Sequence, residues 1–356
     1  MPELLTRKHY PSDLDDAEWA LIEPLLPPLI EKGWGAACRW HRRDVVDAIF
    51  YVLKTGCPWR DLPGDFPQWN SVWKWFRLWR LDGTWVRVHD TLREQTRAAA
   101  GRDREPSLAI IDSQSVKGTE YTTSQQAPAD IDTAAILAAL TTPGDPAAAG
   151  VTVEQIADAV LGPHHGVPAE QVPAVVAAAI LGVGEAPARP FPKARDRAGY
   201  DGGKKVKGRK RHLLVDTQGL VQSVVVHGAD VHDSVGAALV LARRVGSAKR
   251  LEKVLADMAY QGPLVPWVFE LSGVTLEIVK RAEEAKGFAV QKWRWIVERT
   301  HAWLGRFRRL TRCFERLAET DETMVHIAMT RLMLRRIAHP ERETWRGTVA
   351  FAAQAS

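Results

Sequence analysis

The spacing of apolar residues divides this chain into an N-terminal helical part and a later part that mixes strands with helices. Up to about residue 100, apolar positions recur at helical spacing in three segments, 11–28, 41–59 and 63–85, which Gly/Pro turns separate. In the third segment Trp69, Trp73 and Phe76 stand at i, i+4 and i+7, which predicts a shared buried face. Three basic residues project elsewhere from the same helix: Lys74, Arg77 and Arg80.

Two interpretations of this N-terminal part remain open. Short helices joined by tight turns, with a basic last member, are typical of a helix-turn-helix DNA-binding unit. A plain helical bundle with tryptophans in its core fits equally well, because no sequence code marks a recognition helix.

From Ser107 onward, short apolar runs predict strands that alternate with helices. The predicted strands are 108–112, 211–217, 220–227, 253–260 and 274–280. The segment "DTQG" between the second and third predicts a hairpin turn. Helices are predicted at about 232–244, 262–272, 290–310 and 320–338. This order predicts an α/β fold, with helices flanking one mixed sheet.

Residues 125–194 do not follow that pattern and predict an Ala-rich helical insertion, or a semi-ordered linker, between the first two strands. No lysine or arginine occurs between Lys117 and Arg189, while seven acids lie in 121–188. Removing seven negative charges from the net charge of +5 leaves +12 on the rest of the chain. A net charge this positive outside the insertion favours a polyanionic partner such as nucleic acid, although solubility alone also explains a mildly basic protein.

Composition excludes several other classes of protein. The three cysteines, Cys38, Cys57 and Cys313, are far apart, which suits a reducing cytosol and offers neither a disulfide framework nor a zinc site. The first residues contain no apolar signal-peptide core, and the longest apolar run, from Val172, is too short to span a bilayer. We therefore expect a cytoplasmic protein with no membrane partner.

Three carboxylates stand where sequences usually avoid charge. Asp112 ends the first predicted strand, Asp257 ends the apolar run "KVLAD", and Glu298 lies off the apolar stripe of a late helix, on a face with Arg294 and His301. Acids at strand ends lie where α/β folds bind ligands, and converging acids need cations to offset their repulsion. Two Mg²⁺ ions held by oxygen ligands would suit phosphoryl transfer. The alternative is that each acid is an ordinary strand-end or solvated charge.

A basic segment precedes the second predicted strand. "KKVKGRKRH" puts six cations into eight positions: Lys204, Lys205, Lys207, Arg209, Lys210 and Arg211. Together with Arg294, Arg299 and Arg306 of the late helix, these residues are candidate contacts to a DNA backbone. A solvated loop is the simpler interpretation of the run.

Several motifs in this order resemble the DDE transposases of bacterial insertion sequences, specifically the insertion-sequence-five family. They include "AIIDSQSVKGTE", "GYDGGKKVKGRKRHLLVDTQGL", "VHGADVHDS", "VLADMAYQG" and "RWIVERTHAWLGRFRRL". The N-terminal "GCPWRDLPGDFPQWNSVWKWFRLW" matches as well, so the resemblance covers nearly everything except 125–194.

The resemblance implies an RNase H-like catalytic domain over 106–124 plus 195–340, interrupted by the 125–194 insertion. It also implies a helical DNA-binding domain over 1–105 and leaves a tail at 341–356. Asp112, Asp257 and Glu298 take the catalytic and metal-binding roles, with two Mg²⁺ ions for which Mn²⁺ can substitute. The implied partner is double-stranded DNA, both terminal inverted repeats and target, bound by a homodimer associated with the nucleoid.

The sequence departs from the family at two positions of the signature Tyr-x2-Arg-x3-Glu-x6-Lys. Gln291 stands at the tyrosine position and Gly305 at the lysine position, while Arg294 and Glu298 match. The departure and the insertion motivate an alternative, a catalytically inactive or domesticated derivative that still binds DNA. A third possibility is another RNase H-like nuclease, which would not join DNA ends.

Overall fold

A computed structural model describes residues 7–27, 40–119, 198–245, 249–262, 264–279 and 293–342. The predicted insertion at 125–194 and the tail from residue 343 lie outside the described residues. The chain divides into two compact units. The first comprises the described residues within Met1–Arg104, Phe307–Arg309 and Thr323–Ser356, and the second those within Glu105–Arg306 and Leu310–Glu322.

The first unit is helical, as its apolar spacing predicts. Its helices are α1 (Asp16–Ile22), α2 (Arg42–Thr55), α3 (Trp69–Leu81) and α4 (Thr84–Ala99). Asp15 begins α1 with a capping box: the Asp15 carboxylate accepts from the Glu18 amide, and the Glu18 carboxylate accepts from the Asp15 amide. The fourth helix is absent from the sequence prediction. It buries Trp85, Val88 and Leu92, which stand at i, i+3 and i+7.

The buried face of α3 differs from the predicted one. Val72, Phe76 and Trp79 are buried, whereas Trp69 and Trp73 are 39% and 40% exposed. The predicted burial is therefore right for Phe76 and wrong for Trp69 and Trp73. A helix with apolar residues on most of its circumference does not reveal which stripe faces the core, because packing partners decide that.

The second unit contains six strands: β1 (Leu108–Lys117), β2 (Gly199–Asp201), β3 (Val206–Asp216), β4 (Val221–Gly228), β5 (Lys253–Ala256) and β6 (Thr275–Ile278). Its helices are α5 (Asp233–Val245), α6 (Leu264–Ser272) and α7 (Arg294–Leu304). A last helix, α8 (Ala318–Ala338), begins in this unit and continues into residues assigned to the first. None of the described helices is long and apolar enough to cross a membrane.

The six strands form one mixed sheet, as predicted for an α/β fold. Its order is β2-β3-β1-β5-β6, and β4 also pairs with β3. β3 pairs antiparallel with both β1 and β4, whereas β5 pairs parallel with β1 and β6 pairs parallel with β5. Asp216, Gly219 and Leu220 close the predicted β3–β4 hairpin, in which the Asp216 carboxylate accepts from the Leu220 amide.

Several strand boundaries differ from the prediction. β5 ends at Ala256 rather than residue 260, and a 3₁₀ turn (Met258–Tyr260) follows it. β1 does not end at Asp112 but continues to Lys117, because Ser113 pairs with His212 and the pairing runs on to Gly208. β3 begins at Val206 rather than residue 211, so four of the six cations of the basic run lie inside a strand. Polar residues form strand here because β1 and β3 satisfy each other's backbone groups over a long antiparallel ladder.

An apolar core packs one face of this sheet against α5 and α6. Ala109 and Ile111 of β1, Leu214 of β3 and Val254 of β5 contribute from the sheet. Val240 of α5 is among the helical residues that cover them. Burial of these side chains fixes the centre of the sheet, on which the candidate site stands.

Candidate active site

Asp112 and Asp257 lie at corresponding points of two adjacent parallel strands. Ile110 of β1 pairs with Leu255 of β5. Asp112 lies two residues after Ile110, and Asp257 lies two residues after Leu255. Asp112 lies within β1, whereas Asp257 comes directly after β5. The Asp257 carboxylate caps a 3₁₀ turn by accepting from the Ala259 amide at 2.9 Å. Because β1 and β5 are parallel neighbours in this register, the two acids lie at adjacent positions, where β5 ends alongside β1.

Helix α7 carries Glu298 and packs against β1 and β3. The Thr300 hydroxyl donates to the Gly219 carbonyl at 2.8 Å, which ties the helix to the β3–β4 hairpin. One turn after Glu298, the His301 Nε2 lies 3.8 Å from the Asp112 Oδ2. Glu298 itself is exposed. The helix therefore brings the residue three positions after Glu298 into contact with the first aspartate.

The His301 imidazole is buried and uncharged. Burial lowers its pKa to about 3, and the nearby charges of Arg211 and Lys204 act in the same direction. A neutral ring beside Asp112 leaves the negative charge of that carboxylate uncompensated by this partner. Sequence inspection placed His301 on the Glu298 face but did not single it out as a site residue.

Tyr260 lies behind the two aspartates. Its side chain is buried, and burial raises the pKa of its hydroxyl well above the usual range. The negative charges of Asp112, Asp233 and Asp257 raise it further. The charges of Asp112 and Asp257 therefore both act on this one hydroxyl.

Asp233, at the start of α5, is a further acid that sequence inspection missed. Its Oδ1 accepts from the Lys210 ammonium at 2.9 Å and from the Ser113 hydroxyl at 3.1 Å. Ser113 immediately follows Asp112 in β1. An aspartate that begins a helix reads in sequence as a cap, so only the long-range contacts identify this placement.

The oxygen-only donors of Asp112, Asp257 and Glu298 fit a hard divalent cation. These acids do not form one tight cluster. In the described part of the chain, the group whose ligand atoms all lie within 4.8 Å of one another is Asp15, Glu18 and His339, in the first unit. There His339 bonds to Asp15 at 2.6 Å and Glu18 pairs with Arg331, so local ion pairs account for that group. One ion held by all three predicted acids would require side-chain movement.

The predicted basic run divides into buried and exposed members. Arg211 is buried and forms a bidentate pair with Asp321, with Nη2–Oδ1 and Nε–Oδ2 distances of 2.7 and 2.9 Å. Arg209 is buried and donates to the carbonyls of Glu315 and Arg316. Lys210 is buried against Asp233. The guanidinium groups of both arginines thus bind protein groups within this unit.

The first three lysines of the run, Lys204, Lys205 and Lys207, are exposed. A tight turn positions Lys204, whose amide donates to the Asp201 carboxylate at 2.9 Å. The Lys204 ammonium in turn donates to the Ser113 carbonyl at 3.3 Å. This cation therefore lies one residue from Asp112.

The candidate arginines of the late helix occupy different environments. Arg299 is half-buried, donates to the Gln218 carbonyl at 3.1 Å and stacks on Trp303 with its Cζ 4.7 Å from the ring centroid. Arg306, just beyond α7, is exposed. Arg294 is the first residue of α7, and its side chain lies outside the described residues.

Family comparison gives this site its context. Residues 81–333 match the family described as transposase DDE domain. Residues 14–89 match the family described as putative transposase of the IS4/5 family. The chain therefore belongs to the DDE transposases of insertion sequences, a class of enzymes that act on DNA.

Two relatives come from Burkholderia cepacia. The chain is 41% identical over 109 residues to the insertion element IS402 uncharacterized 16.2 kDa protein, which covers 29% of this chain and 72% of that protein. It is 34% identical over 119 residues to a putative transposase for insertion sequence element IS402, which covers 32% of this chain and 56% of that protein. The chain thus spans little more than half the length of the second relative. No solved structure matches the chain.

Proposed function

We propose that this protein binds the terminal inverted repeats of an insertion element and catalyses metal-dependent DNA cleavage and strand transfer. Asp112, Asp257 and Glu298 are the proposed catalytic acids. The observation that carries the proposal is the matched placement of Asp112 and Asp257 on adjacent parallel strands, with α7 bringing His301 to Asp112 one turn after Glu298.

The strand order supports an RNase H-like catalytic domain. β1, β3 and β4 form an antiparallel set, and β5 and β6 extend it in parallel with β1. Asp112 lies on β1, Asp257 directly after β5 and Glu298 on the late helix α7. The family resemblance assigns the catalytic and metal-binding roles to these three acids.

DDE transposase domains typically use divalent metal ions, and we take Mg²⁺ as the ion here, with Mn²⁺ as a substitute. Asp112, Asp257 and Glu298 would hold two such ions. When bound, the ions would activate an attacking oxygen and stabilise the leaving one. The chain itself supplies a rigid frame, because buried residues precede both aspartates: Ile110 and Ile111 in β1, and Leu255 and Ala256 in β5.

Exposed cations near the acids are the proposed DNA contacts. Lys204 reaches the backbone beside Asp112, and Lys205 and Lys207 are exposed near it in sequence. Arg306 lies at the end of the Glu298 helix. Such contacts hold phosphates without reading sequence and make binding salt-dependent. Two protein copies would hold the two ends of one element.

The test is to incubate the protein with Mg²⁺, DNA carrying the inverted repeats that flank its coding region, and a supercoiled target. Cut ends and joined products are expected for the natural chain. Glu298→Gln should abolish both products while leaving DNA binding intact. Glu277→Gln is the matched control, since this carboxylate on β6 is half exposed and pairs with Lys253.

The outcomes separate the three candidate functions. Binding of the repeats without any cleavage by the natural chain would indicate an inactive or domesticated derivative. Cleavage of DNA regardless of the repeats, with no joining, would indicate another nuclease. Unchanged cleavage by Glu298→Gln would contradict the assignment of this residue.

A further inference from the structure

Helix α3 exposes large aromatic side chains on its surface. Trp69 and Trp73 are 39% and 40% exposed, although tryptophan is usually well buried. The core face of the same helix is already filled by Val72, Phe76 and Trp79. The two exposed rings are therefore not needed to complete that core, and exposed apolar surface of this kind often marks an interaction site.

The exposed tryptophans belong to a ridge of four residues, Trp69, Trp73, Arg77 and Arg80, called here the α3 ridge. They stand at i, i+4, i+8 and i+11, which places them along one side of the helix, so the prediction that Arg77 and Arg80 project away from the tryptophans is wrong. The Arg77 Cζ lies 5.9 Å from the Trp73 ring centroid. Arg60, from the preceding turn, lies over Trp69 with its Cζ 5.4 Å from that centroid. Each ring thus has a guanidinium beside it.

The charged residues within α3 are all basic. The α3 sequence, "WNSVWKWFRLWRL", contains Lys74, Arg77 and Arg80 and no acidic residue. Two acids that flank the helix, Asp65 and Asp82, form local hydrogen bonds. Asp65 accepts from the Tyr10 hydroxyl at 2.9 Å, and Asp82 accepts from the Thr84 amide, also at 2.9 Å. A nucleic acid offers phosphates that complement these basic side chains, whereas an apolar protein face does not.

Flat aromatic rings alternating with guanidinium groups match the chemistry of single-stranded nucleic acid. Bases with free faces stack on aromatic side chains, and the cations follow the phosphates. In intact duplex DNA the base faces are covered by their neighbours, so only edges, sugars and phosphates are available. We infer that the α3 ridge binds DNA whose bases are unstacked, as at a cleaved or distorted element end. This inference rests on the proposed function, which supplies such DNA.

The test measures binding of the full chain to oligothymidine and to a mixed-sequence duplex of equal length, without added metal. The double variant Trp69→Ala, Trp73→Ala should bind oligothymidine roughly 5- to 150-fold more weakly per lost stacking contact. Its duplex affinity and salt dependence should stay nearly unchanged. Trp73→Phe should retain most of the affinity, because phenylalanine also stacks. Circular dichroism melting should show that each variant is folded.

Two controls address the geometry and the charge. Leu78→Ala removes another exposed apolar residue of α3, about 140° around the axis from Trp73, and should change neither affinity. Arg77→Gln should reduce the salt dependence of oligothymidine binding by about one phosphate contact.

Three results would overturn the inference. Unchanged oligothymidine binding by the double variant excludes stacking on this ridge. An equal loss for duplex and single strand points to contacts that do not involve base faces. A change in oligomeric state with unchanged DNA binding assigns the ridge to a second copy of the chain. All of these leave the proposed function standing, because repeat-dependent cleavage and its loss in Glu298→Gln are measured separately.

Discussion

The hydroxyl of Thr300 donates a 2.8 Å hydrogen bond to the carbonyl oxygen of Gly219, which fastens the Glu298 helix to the tip of the β3–β4 hairpin. Gly219 has a φ of +80°, a conformation that favours glycine. A Cβ added at this glycine would lie 2.8 Å from both the Thr300 hydroxyl and the Trp303 ring. The turn thus needs glycine for its backbone and for the close approach of α7.

Gly219→Ala should therefore lower the free energy of unfolding by about 2–4 kcal/mol, from the left-handed backbone and the overpacking together. Urea denaturation measures this loss. Gly305→Ala is the matched control, because Gly305 has a helical φ of −62° and its nearest neighbour would be 3.5 Å from an added Cβ. Equal stability of the two variants would contradict this account of the hairpin contact.

Asp257 has two separable roles, and two substitutions distinguish them. Asparagine can still accept the hydrogen bond from the Ala259 amide, so Asp257→Asn should fold normally yet lose strand cleavage. Asp257→Ala should also lose cleavage and in addition cost about 0.5–2 kcal/mol through the missing cap. Cleavage assays and denaturation curves on both variants give the comparison. If Asp257→Asn cleaved DNA at the same rate as the natural chain, Asp257 would not be a catalytic residue.

The buried members of the basic run should support stability, and the exposed members should contribute to DNA binding. Asp321→Asn leaves the Arg211 guanidinium buried without its carboxylate, which should cost about 3–5 kcal/mol of stability. Lys207→Gln, on the exposed side of the same run, should change stability by no more than about 0.5 kcal/mol. It should instead reduce the salt dependence of DNA binding by about one contact. The reverse pattern, a stable Asp321→Asn and an unfolded Lys207→Gln, would refute this division.

Stability should depend on pH through His212. This imidazole is buried and bonds to His227 at 2.9 Å; burial lowers its pKa well below 6.5, and charges including Lys210 and Lys204 add to the effect. Below pH 6.5 the unfolded chain therefore takes up a proton that the folded chain does not. The free energy of unfolding should fall by up to about 1.4 kcal/mol per pH unit from this group as pH decreases below 6.5.

His212→Gln should make that decline shallower. Denaturation between pH 7 and 5.5 suits the measurement, because most carboxylates, with pKa values near 4, titrate lower. The difference between the natural chain and the variant isolates His212, since the other groups titrate in both. Parallel curves would show that His212 does not carry the effect.

Local patterns in the sequence determined much of the secondary structure of this protein. The alternation of helices and strands, the turn at Asp216–Leu220 and the buried stripe of α7, with Ile296, Thr300 and Trp303, follow from residue spacing. These features depend on neighbours a few residues away, which the printed sequence contains. The proximity of the Asp112 and Asp257 strand positions was also predictable, because acids after parallel strands share a sheet edge.

Only the tertiary structure decided which polar residues are buried and which aromatic residues are exposed. Arg211 lies in the core because Asp321, 110 residues away in sequence, meets it there. β1 continues past Asp112 because β3 pairs with it. Trp69 and Trp73 remain on the surface because Val72, Phe76 and Trp79 fill the core side of α3. Long-range partners set the cost of burying each group, and spacing along the chain does not specify those partners.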